Sequence, residues 1–205
     1  MNNSLKKAAI TLLAMLCVVA CDDKPAKKPV DTFVDSRDGK EYKIVKIGSQ
    51  TWMAENLNYK TSNSKCYDSD ESNCQKYGCL YDWNTAMKVC PSGWHLPTQA
   101  EWGVMTAYIG DEITEGKKLK AKSGWDDYQG KSGNGTDEFG FSALPGGLGD
   151  MVGNFLNANY YGYWWSASEY SSVNAYSRST NGSSTRTYWH DRNKSFLLSV
   201  RCLQD

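Results

Sequence analysis

Five of the seven cysteines, those that follow the N-terminal segment, carry the first chemistry that the sequence suggests. They can form disulfides, bind a metal ion or act as nucleophiles, and the redox environment decides among these roles. Their spacings contain no CxxC pair and the chain has two histidines, so a zinc site is not favoured. We interpret the cysteines first as disulfide candidates, and because the number is odd, one is left over. These cysteines are Cys66, Cys74, Cys79, Cys90 and Cys202.

The groups that could act as acids, bases or nucleophiles are isolated along the chain. His95 follows Trp94 at the approach to a predicted helix, which favours a hydrogen-bonded structural imidazole over a catalytic base. His190 adjoins a polar segment and should be exposed. Ser177, Ser179, Ser183 and Ser184 have no nucleophile-elbow context, so we interpret them as strand and turn residues. We therefore predict no catalytic centre and keep an unrecognised enzyme as an alternative.

Aromatic side chains suggest a second chemistry, the stacking of flat rings on sugars. Tyr161, Tyr163, Trp164 and Trp165 lie on one predicted strand, where successive side chains point to opposite faces, so some of the rings could be exposed. Trp125, in the long irregular segment 111–137, could join them in a ligand site. The alternative, which we favour slightly, is that these rings seal a sheet covered on both faces.

A structural calcium ion is a further possibility in the irregular region, because oxygen ligands suit Ca²⁺. Solvated loop charges are the favoured interpretation of the same residues, and we predict no other cofactor. The candidate ligands are Asp126, Asp127, Asp137, Glu138 and Asp150.

The N-terminal segment predicts export. Lys6 and Lys7 precede an apolar run at residues 8–20, which is typical of a secretory signal peptide at residues 1–20 and too short for a permanent span. The run ends before Cys21 in a pattern that resembles a bacterial lipobox, so Cys21 is the predicted lipidation site, with unmodified cleavage as the alternative. Residues 21–36 are predicted as a lipidated start and flexible tether, and residues 37–205 as one domain.

The predicted partners follow from charge and export. Removal of residues 1–20 takes away two of the 23 basic residues and none of the 23 acidic ones, which leaves a formal charge of −2. Nucleic acid is therefore not an expected partner, because its binding needs a clustered excess of Lys and Arg. The expected partners are a membrane, through the lipid, and a glycan or another envelope protein.

An α+β fold with short helices is expected to position these groups. Residues 42–47 followed by Gly48 and Ser49 predict an N-terminal hairpin. Residues 80–89 predict a short amphipathic helix with Leu80, Trp83 and Met87 on one face. The polar segment 60–73 is predicted to be a loop.

A second helix and an antiparallel C-terminal end complete the predicted elements. Thr98 followed by Glu101 is a capping box, which fixes the start of a helix that ends at Gly110. Asn181 and Gly182 predict a tight hairpin turn, and residues 191–193 predict the next turn.

Six segments, in this order, resemble the Fibrobacter succinogenes major paralogous domain family of bacterial envelope lipoproteins. They span residues 38–202 and read DGKEYKIVKIGSQTWMAENLNY, CYDSDESNCQKYGCLYDWNTAM, CPSGWHLPTQAEW, GFSALPGG, YWWSASE and SVRC. HLPTQAEW is also similar, more distantly, to the helix start of formylglycine-generating-type proteins, whose domain is an elaborated C-type-lectin-like fold. The resemblance therefore implies a loop-rich α+β, C-type-lectin-like domain with a mainly antiparallel C-terminal sheet.

The resemblance also implies a disulfide pattern. A bridge between Cys90, just before the capped helix, and Cys202, on the last strand, would join the helix layer to the sheet, and a bridge between Cys66 and Cys74 would close a short loop. Cys79 would then be a buried free thiol, with an intermolecular bridge as the alternative.

Function is the least determined expectation. Residues 139–200 contain no cysteine, so the copper-dependent oxidase chemistry of the formylglycine-generating proteins is not carried over. The tripeptides of calcium-dependent lectins, Glu-Pro-Asn, Gln-Pro-Asp and Trp-Asn-Asp, do not occur either. We expect a non-catalytic binding or adhesion module at the outer membrane or cell surface, with glycan as the first ligand class. The alternative is a structural or interaction protein without a small ligand.

Overall fold

The structure, a computed structural model, describes residues 31–205. The predicted signal peptide, the lipidation of Cys21 and the tether as far as residue 30 lie outside the described residues. Within residues 31–205, no helix has the length and apolar character needed to span a membrane.

Short strands and short helices alternate along the described chain. The strands are β1 (Thr32–Val34), β2 (Glu41–Ile47), β3 (Gln50–Met53), β4 (Ser64–Lys65), β5 (Leu80–Tyr81), β6 (Trp94–His95), β7 (Gly146–Gly149), β8 (Phe155–Ala158), β9 (Tyr161–Glu169), β10 (Asn174–Asn181), β11 (Tyr188–Asn193), β12 (Leu198–Ser199) and β13 (Leu203–Gln204). The helices are α1 (Glu71–Tyr77), α2 (Trp83–Val89), α3 (Gln99–Ile109) and α4 (Glu115–Leu119).

The strands form two sheets, and the fold class is α+β as predicted. One sheet has the order β1-β2-β3-β13-β6, so the last strand lies between strands from the first half of the chain. The other has the order β11-β10-β9-β12-β5-β4, with β7 beside β9 and β8 beside β7. The run β9-β10-β11 is antiparallel, whereas β9 pairs with β12 and β7 in parallel.

Two hydrophobic clusters lie against these sheets. One surrounds the disulfides and includes Trp165 and Tyr163. The other contains Trp52, Trp102 and Phe141, whose ring centroids are 4.8 to 5.9 Å apart. Because both clusters take side chains from β9, that strand is buried on both faces.

Both predicted disulfides are present. Cys90 and Cys202 are bonded with their Cα atoms 5.9 Å apart, across 112 positions of sequence. Cys66 and Cys74 are bonded with their Cα atoms 4.9 Å apart. Cys79 is buried and is a free thiol, as the resemblance implied.

The capped helix is also confirmed. Thr98 Oγ1 accepts a hydrogen bond from the Glu101 amide, and Glu101 Oε2 accepts one from the Thr98 amide at 2.8 Å, so the capping box is complete. Trp102 and Met105 of α3 are buried, and Gly110 is its C-cap. The hairpin around Gly48 forms between β2 and β3.

Several boundaries differ from the prediction. Residues 32–34, assigned to the tether, form β1 and pair with β2, and the Asp35 side chain is buried against Arg37 at 2.6 Å. The segment predicted as one helix from residue 80 begins as β5; Asp82 then caps α2, which buries Trp83 and leaves Met87 exposed. The polar segment 60–73 contains β4 and the start of α1.

Candidate binding groove

The aromatic residues predicted to bind a ligand are mostly inside the protein. Trp125, Tyr163, Trp164 and Trp165 have exposed fractions of 4%, 4%, 3% and 0%. The expectation that they present free ring faces is therefore wrong, and the alternative, a sheet sealed on both faces, is correct. Tyr161 is half-buried, with its ring stacked on Tyr163 at 5.3 Å.

The indole N–H groups confirm that these tryptophans belong to the core. Trp125 Nε1 donates to Ala143 O at 3.0 Å, and Trp164 Nε1 donates to Asn56 Oδ1 at 2.9 Å. Trp165 Nε1 donates to Tyr81 O at 2.8 Å. Each N–H is thus already occupied by the protein, as buried polar groups usually are.

The five carboxylates proposed for calcium do not come together. Both Asp137 oxygens accept hydrogen bonds from Ser142, and Asp150 closes a local turn to Asn154. Asp126, Asp127 and Glu138 are exposed. Within residues 31–205, one group of three side chains of the metal-binding types His, Cys, Asp and Glu has its ligand atoms within 4.8 Å of one another. This group is Cys66, Cys74 and Cys79, and it contains none of the five carboxylates.

The two histidines have different surroundings. His95 contacts Glu101 Oε1 through Nε2 at 2.9 Å and Asp205 Oδ1 through Nδ1 at 2.6 Å, which is the predicted structural role. His190 is exposed, as predicted, but belongs to β11 and not to a turn. Its Nε2 lies 2.9 Å from Ser179 Oγ, yet Ser179 is 1% exposed, so this pair does not present a nucleophile to solvent.

A groove of about 440 Å³ opens between α3, α4 and the β10–β11 hairpin. This volume is within the range of small-molecule sites. Its lining combines charged groups, hydroxyls and aromatic rings, together with Gly103 and Ala107 of α3 and the C-cap residue Gly110. The polar and aromatic lining residues are Thr106, Asp111, Glu112, Glu115, Arg178, Arg186, Thr187, Tyr188 and Trp189.

A buried ion pair forms part of the groove lining. Arg178 Nη2 donates to Glu115 Oε1 at 2.7 Å and to Thr106 Oγ1 at 2.9 Å, and the two charged side chains are 6% and 4% exposed. Thr187 Oγ1 also donates to Glu115 Oε1. Burial lowers the pKa of Arg178, while the Glu115 carboxylate opposes that shift.

The protein leaves part of this ion pair without a hydrogen-bond partner. Glu115 Oε2 and Arg178 Nε are buried and make no hydrogen bond to any residue of the described chain. An unpaired buried polar atom costs about 1–3 kcal/mol, so such atoms are rare and call for an explanation. Because Glu115 and Arg178 line the groove, a ligand or a water molecule in it can supply the missing partners.

The Trp189 ring forms part of the groove wall. Trp189 is half-buried, and Arg178 Cζ lies 4.8 Å from its ring centroid, so the guanidinium packs against the indole. Tyr188 is 42% exposed. Tyr188 and Trp189 are paired with Ser179 and Arg178 of β10, which fixes their positions along the groove.

The α4 helix reaches the hairpin because Gly116 has no side chain. A Cβ atom at this position would lie 2.4 Å from Arg186 O, too close for any other residue without a backbone shift. Lys117 N also donates to Thr185 O at 3.0 Å. These contacts hold Glu115 opposite Arg178.

The sequence prediction missed the groove for two reasons. Asn181 and Gly182 were expected to make a tight turn, but the connection runs from residue 182 to residue 187, because β11 begins only at Tyr188. Residues 191–193, also predicted as a turn, belong to β11. The second reason is α4, which lies inside the segment predicted to be irregular.

Comparison with known proteins places the chain in a family. Residues 45–204 match the Fibrobacter succinogenes major domain family. The chain belongs to this family. No curated protein and no solved structure matches it, so the C-type-lectin-like assignment stays a prediction. The family description names no ligand or reaction, and the function must be argued from the groove.

Proposed function

We propose that this member of the Fibrobacter succinogenes major domain family is a non-catalytic binding module, exported and lipid-anchored in the cell envelope, that holds a carbohydrate in the groove. The observation that carries the proposal is the groove's combination of Trp189 with the incompletely hydrogen-bonded Glu115–Arg178 pair. The ligand site thus differs from the one that the sequence suggested.

The chemistry of the lining supports a carbohydrate as the ligand class. Carboxylates, guanidinium groups and hydroxyls together offer acceptors and donors, which suits the many hydroxyls of a sugar. Trp189 offers ring surface for the apolar face of a pyranose. Asp111 and Glu112 lie near Arg186 in the same lining, so neither sign of charge dominates and a neutral sugar is favoured over an ionic ligand.

A glycan array probed with the folded protein, followed by calorimetry on the sugars that bind, tests the proposal. Gly103 provides a groove-filling variant, because an added Cβ meets no atom within 4 Å and the position is helical and exposed. We expect Gly103→Leu to abolish binding without loss of stability, since leucine also favours helix more than glycine does. Val104→Leu, on the neighbouring exposed position outside the groove, is the matched control.

Trp189→Ala tests the aromatic wall and should weaken binding about tenfold, the loss expected for a stacking contact. Tyr170→Ala, at an exposed tyrosine outside the groove, should not change the affinity. The proposal is wrong if no glycan binds, or if Gly103→Leu and Trp189→Ala both bind as the unaltered protein does.

An interaction module without a small ligand is the second candidate, and one surface favours it. Met151 and Val152 lie at the turn between β7 and β8 and are 57% and 82% exposed. Two adjacent exposed apolar side chains at this turn offer a small apolar surface for contact with another protein. A Met151→Ser, Val152→Ser double variant that loses an envelope partner while the Gly103→Leu variant keeps it would favour this candidate.

A further inference from the structure

Three sulfur atoms meet beside α1. Cys79 Sγ lies 3.2 Å from Cys74 Sγ, and Cys74 is itself bonded to Cys66. All three Sγ atoms lie within 4.8 Å of one another. A free thiol in contact with a disulfide sulfur is within reach of it for thiol–disulfide exchange, because the reaction is the attack of a thiolate on one sulfur of the bond.

The structure identifies which sulfur would be attacked and which would leave. Cys79 contacts Cys74, so a new bond would join these two and the Cys66–Cys74 bond would break. The Cys79 proton is lost to solvent before the attack, and the departing Cys66 thiolate takes up a proton or stays ionised. One disulfide and one free thiol are present before and after, so the step needs no oxidant or reductant.

The departing sulfur has access to an open cavity. Cys66 lines a space of about 220 Å³ together with Lys60, Lys65 and Cys79. Cys66 is 9% exposed, whereas Cys74 and Cys79 are each 1% exposed. Lysines near a cysteine favour its thiolate form, so a Cys66 sulfur released here is placed to react with a small molecule.

We propose that Cys66, Cys74 and Cys79 form a covalent exchange site: Cys79 opens the Cys66–Cys74 disulfide, and the released Cys66 thiolate forms a mixed disulfide with a small external disulfide. In the second step the Cys66 thiolate attacks one sulfur of the external disulfide, its S–S bond breaks, and the other half leaves as a thiolate. The product carries a Cys74–Cys79 bond and an adduct on Cys66.

The environment of Cys79 sets the rate of the first step. Burial raises the pKa of the Cys79 thiol, although Lys40 and Lys60 oppose the shift. The thiol also donates to Asn58 Oδ1 at 3.2 Å, which holds the proton at neutral pH. The thiolate fraction, and with it the exchange rate, should therefore rise about tenfold for each unit of pH below that pKa.

Incubation of the folded protein with 2-hydroxyethyl disulfide, at pH 7 and pH 8, tests the proposal. After acid quenching, peptide mapping without reduction should find the adduct on Cys66 and a bond between Cys74 and Cys79, with about tenfold faster formation at pH 8. Cys79→Ser should keep the Cys66–Cys74 bond and give no adduct. An adduct on Cys79 with the Cys66–Cys74 bond intact, or no adduct at all, would overturn the proposal.

A second variant tests whether Cys74 and Cys79 can reach bonding distance when the Cys66–Cys74 disulfide is absent. Cys66→Ser leaves Cys74 and Cys79 as neighbours, and after air oxidation peptide mapping without reduction should find a Cys74–Cys79 disulfide. Free thiols at both Cys74 and Cys79 in oxidised Cys66→Ser would overturn the proposal, because the two sulfurs could then not reach bonding distance. Circular dichroism of each variant confirms that the fold is retained.

Discussion

Arg201 donates two hydrogen bonds to Asn56 Oδ1, from Nε at 3.1 Å and from Nη2 at 2.9 Å. Its Nη1 donates to the carbonyl oxygens of Met53 and Phe141. Arg201 is fully buried, and no carboxylate in residues 31–205 forms an ion pair with it. The guanidinium thus joins segments from the start, middle and end of the domain through neutral acceptors.

Replacement of Arg201 should be among the most destabilising single changes. Arg201→Met removes the donor to the buried carbonyl oxygens of Met53 and Phe141, whereas Asn56 Oδ1 still accepts from Trp164 Nε1. Each unpaired buried group costs about 1–3 kcal/mol. Since two buried acceptors lose their donor, we expect the free energy of unfolding to fall by about 2–5 kcal/mol. Denaturation by guanidinium chloride measures the free energy of unfolding, and Lys122→Met, at an exposed position, is the control. A loss below about 1 kcal/mol would show that the network is not stabilising.

The two disulfides should differ in their contribution to stability. Cys90 and Cys202 close 112 positions of chain, and Cys66 and Cys74 close 8. The chain-entropy model assigns about 4–5 kcal/mol to the first bridge and about 2.5 kcal/mol to the second. Paired alanine variants of each bridge, unfolded without reductant, should therefore rank in that order. The reverse order would mean that unfolded-chain entropy does not dominate.

The sequence predicted an element of this fold correctly where the residues that determine it are close together in the chain. The α3 start was correct because Thr98 and Glu101 satisfy each other within one turn. The disulfides were correct because the family resemblance supplied the pairing. The Asn181–Gly182 turn failed because longer-range contacts override local preference: Lys120 Nζ donates to Asn181 O and Ser184 O and holds a longer loop.

The site was less predictable than the fold for a physical reason. Glu115 and Arg178 are 63 positions apart, and no periodic pattern links a short helix to a distant strand. The aromatic run 160–165 gave a strong signal, but alternation on a strand cannot tell a solvated face from one covered by a second hydrophobic cluster. Burial on both faces of β9 follows from tertiary packing alone.

The His95 contacts predict stability that depends on pH. Partial burial lowers its pKa, but the hydrogen bonds to Asp205 and Glu101 outweigh that effect, so the pKa is raised. A raised histidine pKa stabilises the fold below the unfolded value near 6.5, and this stability is lost as pH rises through the folded pKa. His95→Gln should therefore destabilise the protein more at pH 5.5 than at pH 8.5, by a few tenths of a kcal/mol because the ring is exposed.

His190→Gln is the matched variant, and its effect on stability should change with pH in the opposite direction. Partial desolvation of the ring, and secondarily Arg192, lowers the pKa of His190. Its protonation therefore opposes folding, so removal of the imidazole should help more at pH 5.5 than at pH 8.5. Urea denaturation of both variants at the two pH values checks the pair. Equal pH slopes for His95→Gln and His190→Gln would contradict the assigned environments.

Lys120 predicts a rise of stability in alkali. Its Nζ is buried, with acceptors at Asn181 O (2.9 Å) and Ser184 O (3.0 Å), and burial together with Lys117 lowers its pKa to about 8. Below pH 8 the lysine is charged in both the folded and the unfolded chain, so the cost of burying the charge is fully present. Between pH 8 and about 10.4, the folded chain loses the proton while the unfolded chain keeps it, and folding gains free energy.

The comparison of the unaltered protein with Lys120→Met should therefore change with pH. We expect the difference in unfolding free energy to move by about 2 kcal/mol in favour of the unaltered protein between pH 7.5 and pH 10. Lys122→Met, at an exposed lysine, should show no such change. Cys79→Ser in all three backgrounds prevents sulfur exchange at alkaline pH. A difference that is constant with pH would show that Lys120 keeps an ordinary pKa, because only a shifted folded-state pKa links its proton to folding.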